Sequence, residues 1–191
     1  LDDCNYEAYN NLGNIYNELG QSRDACQAFQ HALIINPQIA EIHCNFGNAL
    51  RKTDRLEDAL KEYQHAIDID SNIYLAYNGI GLVLYKLGDF NRSVDAYRDA
   101  LKLELDCFEV YNNLGNSLRN LGRIEEAVQA YERALEIRPD YNEAAHNLGL
   151  TLLTEGKFTP GWNLYENRWK IGSTKRQLGQ HTEQSDFGRS Y

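Results

Sequence analysis

The chain has 191 residues, 42% hydrophobic and 25% charged, and 28 acidic against 19 basic residues give a net charge of −9. That balance argues against a nucleic-acid partner, whose phosphates require a basic surface. No run of about 18 apolar residues is present to cross a membrane, so no membrane partner is expected.

The opening residues Leu1-Asp2-Asp3-Cys4 carry no basic stretch followed by an apolar one, so no signal peptide is expected, and methionine is absent throughout. The chain is therefore expected to be a piece of a longer one. Cys4, Cys26, Cys44 and Cys107 form no CxxC pair and none lies at ligand spacing from a histidine. A reducing, cytoplasmic setting is the simpler expectation.

From Tyr6 onward one period governs everything. Gly13, Gly47, Gly81, Gly115 and Gly149 are 34 residues apart, and the string Tyr9 to Asn14 recurs as Tyr111 to Asn116. With Tyr6 as slot 1, repeats fall at 6–39, 40–73, 74–107, 108–141 and 142–171, the last with an atypical final helix. Leu1 falls on slot 30, so residues 1–5 read as the remnant of a preceding repeat.

Each repeat divides into two helical patterns, and in the first, slots 4, 7, 8 and 11 carry Tyr9, Leu12, Gly13 and Tyr16, then Tyr111, Leu114, Gly115 and Leu118. These intervals lie on one face of a 3.6-residue helix. In the second, slots 17, 20, 24 and 27 carry residues such as Leu56, Ala59, Tyr63 and Ala66. Gly20, Gly88, Gly122 and Gly156 near slot 15 can end the first helix in the left-handed conformation, and Pro37 and Pro139 stop the second. The unit is a helix–turn–helix.

Small and large residues alternate in a way that requires stacking. Glycine at slot 8 and alanine at slots 20 and 27 leave hollows that Phe29, Tyr63, Tyr97, Tyr131 and Tyr165 at slot 24 can fill. One hairpin cannot bury both stripes, so the hairpins stack into a solenoid. Truncating a buried slot-24 aromatic to alanine should cost about 3–5 kcal/mol.

Tyr9, Leu12, Gly13, Tyr16, Ala25, Phe29, Ala32 and Pro37 match the eight signature slots of the tetratricopeptide repeat, which the chain resembles over residues 6–171. The resemblance implies an all-α, right-handed superhelical solenoid of stacked helix–turn–helix hairpins. It also implies a non-catalytic protein-interaction scaffold, although such repeats serve many unrelated partners.

Asparagine occurs 19 times and gathers in the first helices, at Asn10, Asn11, Asn14, Asn45, Asn48, Asn78, Asn112, Asn113, Asn116 and Asn147. It is a poor helix former, so the enrichment needs a cause. At 100° per residue, slots 5, 6 and 9 point roughly away from the core stripe, toward the surface that in tetratricopeptide superhelices is concave. A carboxamide offers both donors and an acceptor, matching a peptide unit, and a ladder of them can hold an extended chain by its backbone. Asn11, Asn45, Asn113 and Asn147 at slot 6 resemble the asparagine ladder of O-linked N-acetylglucosamine transferases, with Gly79 interrupting it.

Other family sites are not expected. A chaperone-type carboxylate clamp would need basic residues at Leu75 and Gly79, so chaperone C-terminal tails are not expected partners. No GxSxG, Walker or GxGxxG motif occurs; His31 and His65 share slot 26 on the expected outer surface with no triad nearby, and His43 and His146 lie in first helices without a partner at metal-ligand spacing. No catalytic residue, metal or cofactor is expected.

The last repeat departs from the others. Thr159 reads as an N-cap with Pro160 at the first helical position, and Trp162 and Trp169 replace the aliphatics of slots 21 and 28. Arg168 replaces the alanine that elsewhere receives the next helix. The helix should close the array at about residue 171, with Trp162 and Trp169 as a possible docking surface. The string also resembles the last repeat of bacterial proteins that continue into a glycosyltransferase-like domain, so the alternative function is the substrate-recruiting arm of such an enzyme. Residues 172–191 show no helical period and read as a polar, flexible tail.

Overall fold

The structure is a computed structural model that describes residues 5–165. Ten helices occur among them, and no strand. They are α1 (Tyr6–Glu18), α2 (Ser22–Ile35), α3 (Ala40–Lys52), α4 (Leu56–Ile69), α5 (Tyr74–Lys86), α6 (Phe90–Leu103), α7 (Phe108–Asn120), α8 (Ile124–Ile137), α9 (Asn142–Thr154) and α10 (Phe158–Tyr165). Every odd-numbered helix begins at slot 1 and every even-numbered one at slot 17. Residues 1–4, the tail 172–191, Arg168 and Trp169 lie outside the described residues.

The turn inside each hairpin is a repeated piece of chemistry. Gly20, Gly88, Gly122 and Gly156 adopt positive φ, and in the second repeat Asp54 does so at φ 66°. The amide two residues past each first helix's C-cap bonds back across the last turn, as Arg55 N–H to Leu50 O at 2.9 Å and Arg123 N–H to Leu118 O at 2.9 Å. This is the Schellman pattern, which satisfies carbonyls that the helix end leaves open.

One expectation shifts. The final helix starts at Phe158, in register with the other second helices, rather than at Pro160. Gly161 N–H bonds to Lys157 O at 3.1 Å, so Lys157 caps the helix. Proline costs nothing at the third position, because the first turn's N–H groups have no intrahelical acceptor.

The chain divides into two compact units, Leu1–Asp106 and Cys107–Tyr191. In the first, α1 packs on α2, α3 on α4 and α5 on α6, while α2 meets α3 and α4 meets α5. In the second, α7 pairs with α8 and α9 with α10, and α8 meets α9.

The interlock inferred between slots 8 and 24 is built in both units. A Cβ placed on Gly13 would lie 2.6 Å from the Phe29 ring, on Gly47 2.7 Å from Tyr63, on Gly81 2.4 Å from Tyr97 and on Gly115 2.6 Å from Tyr131. Tyr63 is met by a second glycine as well, since a Cβ on Gly79 of the following hairpin would come within 2.4 Å of its ring. Ala59, Ala66 and Ala76 complete that pocket with no exposure.

Candidate peptide-binding surface

The asparagine stripe resolves into groups with different work. At slots 5 and 6 the carboxamides bridge successive first helices. Asn45 Nδ2 on α3 donates to Asn10 Oδ1 on α1 at 3.2 Å, and Asn147 Nδ2 on α9 donates to Asn112 Oδ1 on α7 at 3.0 Å. The same bond thus appears once in each unit, always from slot 6 back to slot 5 of the preceding repeat. It uses one donor and one acceptor of each pair, and a carboxamide carries two of each.

Slot 9 looks inward. Asn48 Oδ1 accepts from the Tyr63 hydroxyl at 2.9 Å, and Asn116 Oδ1 accepts from the Tyr131 hydroxyl at 2.8 Å. Both tyrosine rings are fully buried, so these asparagines satisfy hydroxyls that water cannot reach. In the third repeat Leu82 stands at slot 9, and Tyr97 is hydrogen-bonded to Ser93 instead.

Exposure divides the remaining members. Asn11 is exposed, Asn14, Asn78 and Asn113 are half-buried, and Asn112 is only 4% exposed. The Asn78 carboxamide oxygen is buried without a hydrogen-bond partner. Gly79, where slot 6 lacks asparagine, is the glycine pressed on Tyr63, so the ladder is interrupted there by packing.

A signal the sequence reading missed stands beside slot 6. Glu7, Glu41, Glu109 and Glu143 at slot 2 are all exposed, one helical turn before Asn11, Asn45, Asn113 and Asn147. The third repeat lacks both members, carrying Leu75 and Gly79. Glutamate in a first turn is ordinary helix-dipole chemistry, and only its pairing with slot 6 marks it out.

Burial pushes the Cys44 thiol up to about 12, so it is not a nucleophile at neutral pH. On α10, Trp162 is 54% exposed and Phe158 71% exposed.

A 34-residue hairpin, repeated in register and locked by glycine against aromatic, defines a helical-repeat solenoid, the architecture of protein-interaction scaffolds. Profiles described as tetratricopeptide repeat match residues 6–39, 78–142 and 114–159, and one described as TPR repeat matches 47–88. The chain belongs to the tetratricopeptide-repeat family.

Solved structures agree on the fold. The pilF protein of Pseudomonas aeruginosa is similar at TM-score 0.78 and 22% identity, over 85% of this chain and 74% of that one. MamA is similar at TM-score 0.72 and 20% identity, over 86% and 96%. YrrB, described as a TPR protein with an unusual peptide-binding site, is similar at TM-score 0.65 and 19% identity, over 92% and 90%. At such identities the likeness is one of fold. No curated protein matches the sequence.

Proposed function

We propose that the chain is a non-catalytic scaffold whose first helices hold an extended peptide by its backbone, with glutamates beside the asparagines favouring basic side chains. The observation that carries this reading is the paired occurrence of glutamate at slot 2 and asparagine at slot 6 in four repeats, both lost together in the third. The carboxamides would pair with backbone N–H and C=O groups, while the carboxylates would add charge-assisted contacts.

The test is selection of peptides from a random display library on the whole chain, followed by binding to the Asn11→Ala, Asn113→Ala variant. These two side chains are at slot 6 but outside the Asn–Asn bridges, so melting temperature should hold while capture weakens at least tenfold. Enrichment of Lys and Arg in the selected peptides is also expected. Unchanged capture by the variant would sink the proposal.

Trp162 adds a second contact surface. It is more than half exposed on α10, one turn from the still more exposed Phe158, and indole is enriched at interface hot spots. We place a docking contact there, for a following domain or a partner. Trp162→Ala should change stability by less than about 1 kcal/mol, well under the loss of a buried aromatic.

A further inference from the structure

The second hairpin carries a group of side chains that its sister hairpins lack. In the first, third and fourth repeats slot 4 is tyrosine (Tyr9, Tyr77, Tyr111) and slot 23 is alanine (Ala28, Ala96, Ala130). In the second, both change together, to His43 on α3 and Glu62 on α4. The two meet in space: His43 Nδ1 lies 2.7 Å from Glu62 Oε2, with side chains only 9% and 19% exposed. His65, three residues beyond Glu62 and hence on the same face of α4, stands edge-on to His43 with ring centroids 5.5 Å apart.

We propose that His43, Glu62 and His65 form a binding site for a divalent transition-metal ion, Zn²⁺ foremost. One ligand atom from each of the three lies within 4.8 Å of the other two. Bonds of 2.0–2.2 Å to tetrahedral zinc put ligand atoms roughly 3.3 Å apart, so the exposed His65 side chain needs only a small rotation. The two imidazoles favour a borderline metal over Mg²⁺ or Ca²⁺, which take oxygen ligands.

The surroundings of His43 match what a metal ligand requires. Its Nε2 lies 2.9 Å from Pro37 O, and a carbonyl can only accept, so Nε2 carries the proton. That leaves Nδ1, which lies 2.7 Å from Glu62 Oε2, as the nitrogen able to ligate. A ligating histidine ordinarily donates its other ring N–H to a backbone carbonyl or carboxylate in this way. The proton now shared between Nδ1 and the Glu62 carboxylate would leave as the metal enters.

Packing alone is a poor account of the exchange. A tyrosine over an alanine fills this place in three other repeats, and a buried ion pair is seldom more stabilising than the apolar residues it replaces. His43 and His65 also line an open pocket of about 370 Å³ with Pro37, Gln38, Asp68 and Ile69. It gives the ion a route in and leaves room for water as a fourth ligand.

The experiment titrates the whole chain with Zn²⁺ alone by calorimetry and follows the imidazole signals by NMR. One equivalent should bind with shifts at His43 and His65, and the melting temperature should rise with zinc. His65→Ala, on an exposed side chain that leaves the fold intact, should weaken binding at least tenfold. His31→Ala, at the same slot of the first repeat, should bind as the unaltered chain does. Absence of stoichiometric binding overturns the site, and so does a His65→Ala variant that binds zinc with undiminished affinity.

Discussion

The hydroxyl of Tyr63 donates to Asn48 Oδ1 at 2.9 Å, joining the second helix of a hairpin to its first beneath a fully buried ring. Asn48→Ala removes the acceptor of the hydroxyl proton, which the Arg51 guanidinium beside it, a donor only, cannot replace. The expected cost is about 1–3 kcal/mol, that of a buried donor left unpaired. Tyr63→Phe combined with Asn48→Ala should cost less than the sum of the two single changes, because the orphan disappears with the hydroxyl. Urea denaturation of the four proteins measures it, and additive losses would show that the bond contributes nothing.

That bond marks the boundary of what the amino-acid order reveals. The hairpin, its turns and the glycine–aromatic interlock are legible because they repeat with one period and rest on residue size. Asn48 and Asn45 were indistinguishable in the sequence, both being polar residues on a first helix. Their roles part only in space, where slot 9 meets the tyrosine hydroxyl and slot 6 meets the first helix of the preceding repeat. The His43, Glu62 and His65 group was hidden for another reason. Glu62 and His65 are three residues apart on α4, but His43 lies 19 residues before Glu62 on another helix, and only the fold brings it to them.

Gly79 explains why the asparagine ladder stops in the third repeat. A Cβ there would come within 2.4 Å of the Tyr63 ring, which Gly47 also approaches closely. Restoring the ladder with Gly79→Asn should therefore destabilise the chain rather than extend its grip. Gly79→Ala should cost about 1–3 kcal/mol through overpacking, offset only slightly by better helix propensity. Thermal unfolding of the two variants checks this, and a rise in melting temperature for either would contradict it.

Tyr63 also sets a limit at high pH. Burial, partly countered by Arg51, pushes its hydroxyl from the ordinary 10.0 up to about 12. A group that holds its proton more tightly when folded contributes stability below its unfolded value and loses it as pH rises through the folded one. The chain should be insensitive to this group below about pH 10 and lose roughly 2–3 kcal/mol by about pH 12. Burial raises Tyr97 in the same direction, so the two losses add. Denaturation midpoints across this range, with Tyr63→Phe showing a shallower decline, measure the contribution. A slope unaffected by that substitution would place the titration elsewhere.

Two slot-6 asparagines should behave differently when cut back to alanine. Asn147 donates to Asn112 Oδ1 at 3.0 Å, and Asn112 is only 4% exposed, so Asn147→Ala leaves a buried carbonyl oxygen without that donor. The gain in helix propensity, about 0.7 kcal/mol at most, does not cover an orphaned acceptor worth about 1–3 kcal/mol. Asn147→Ala should therefore lower stability by about 1 kcal/mol or more. Asn113→Ala carries no comparable loss, because its half-buried side chain stands outside these bridges, and alanine there should be neutral or slightly stabilising. Equilibrium unfolding of the two single variants, read beside their peptide capture, separates architecture from binding at one repeat position. Equal destabilisation by both would mean that slot 6 is structural throughout and that the paired glutamates serve only the helix ends.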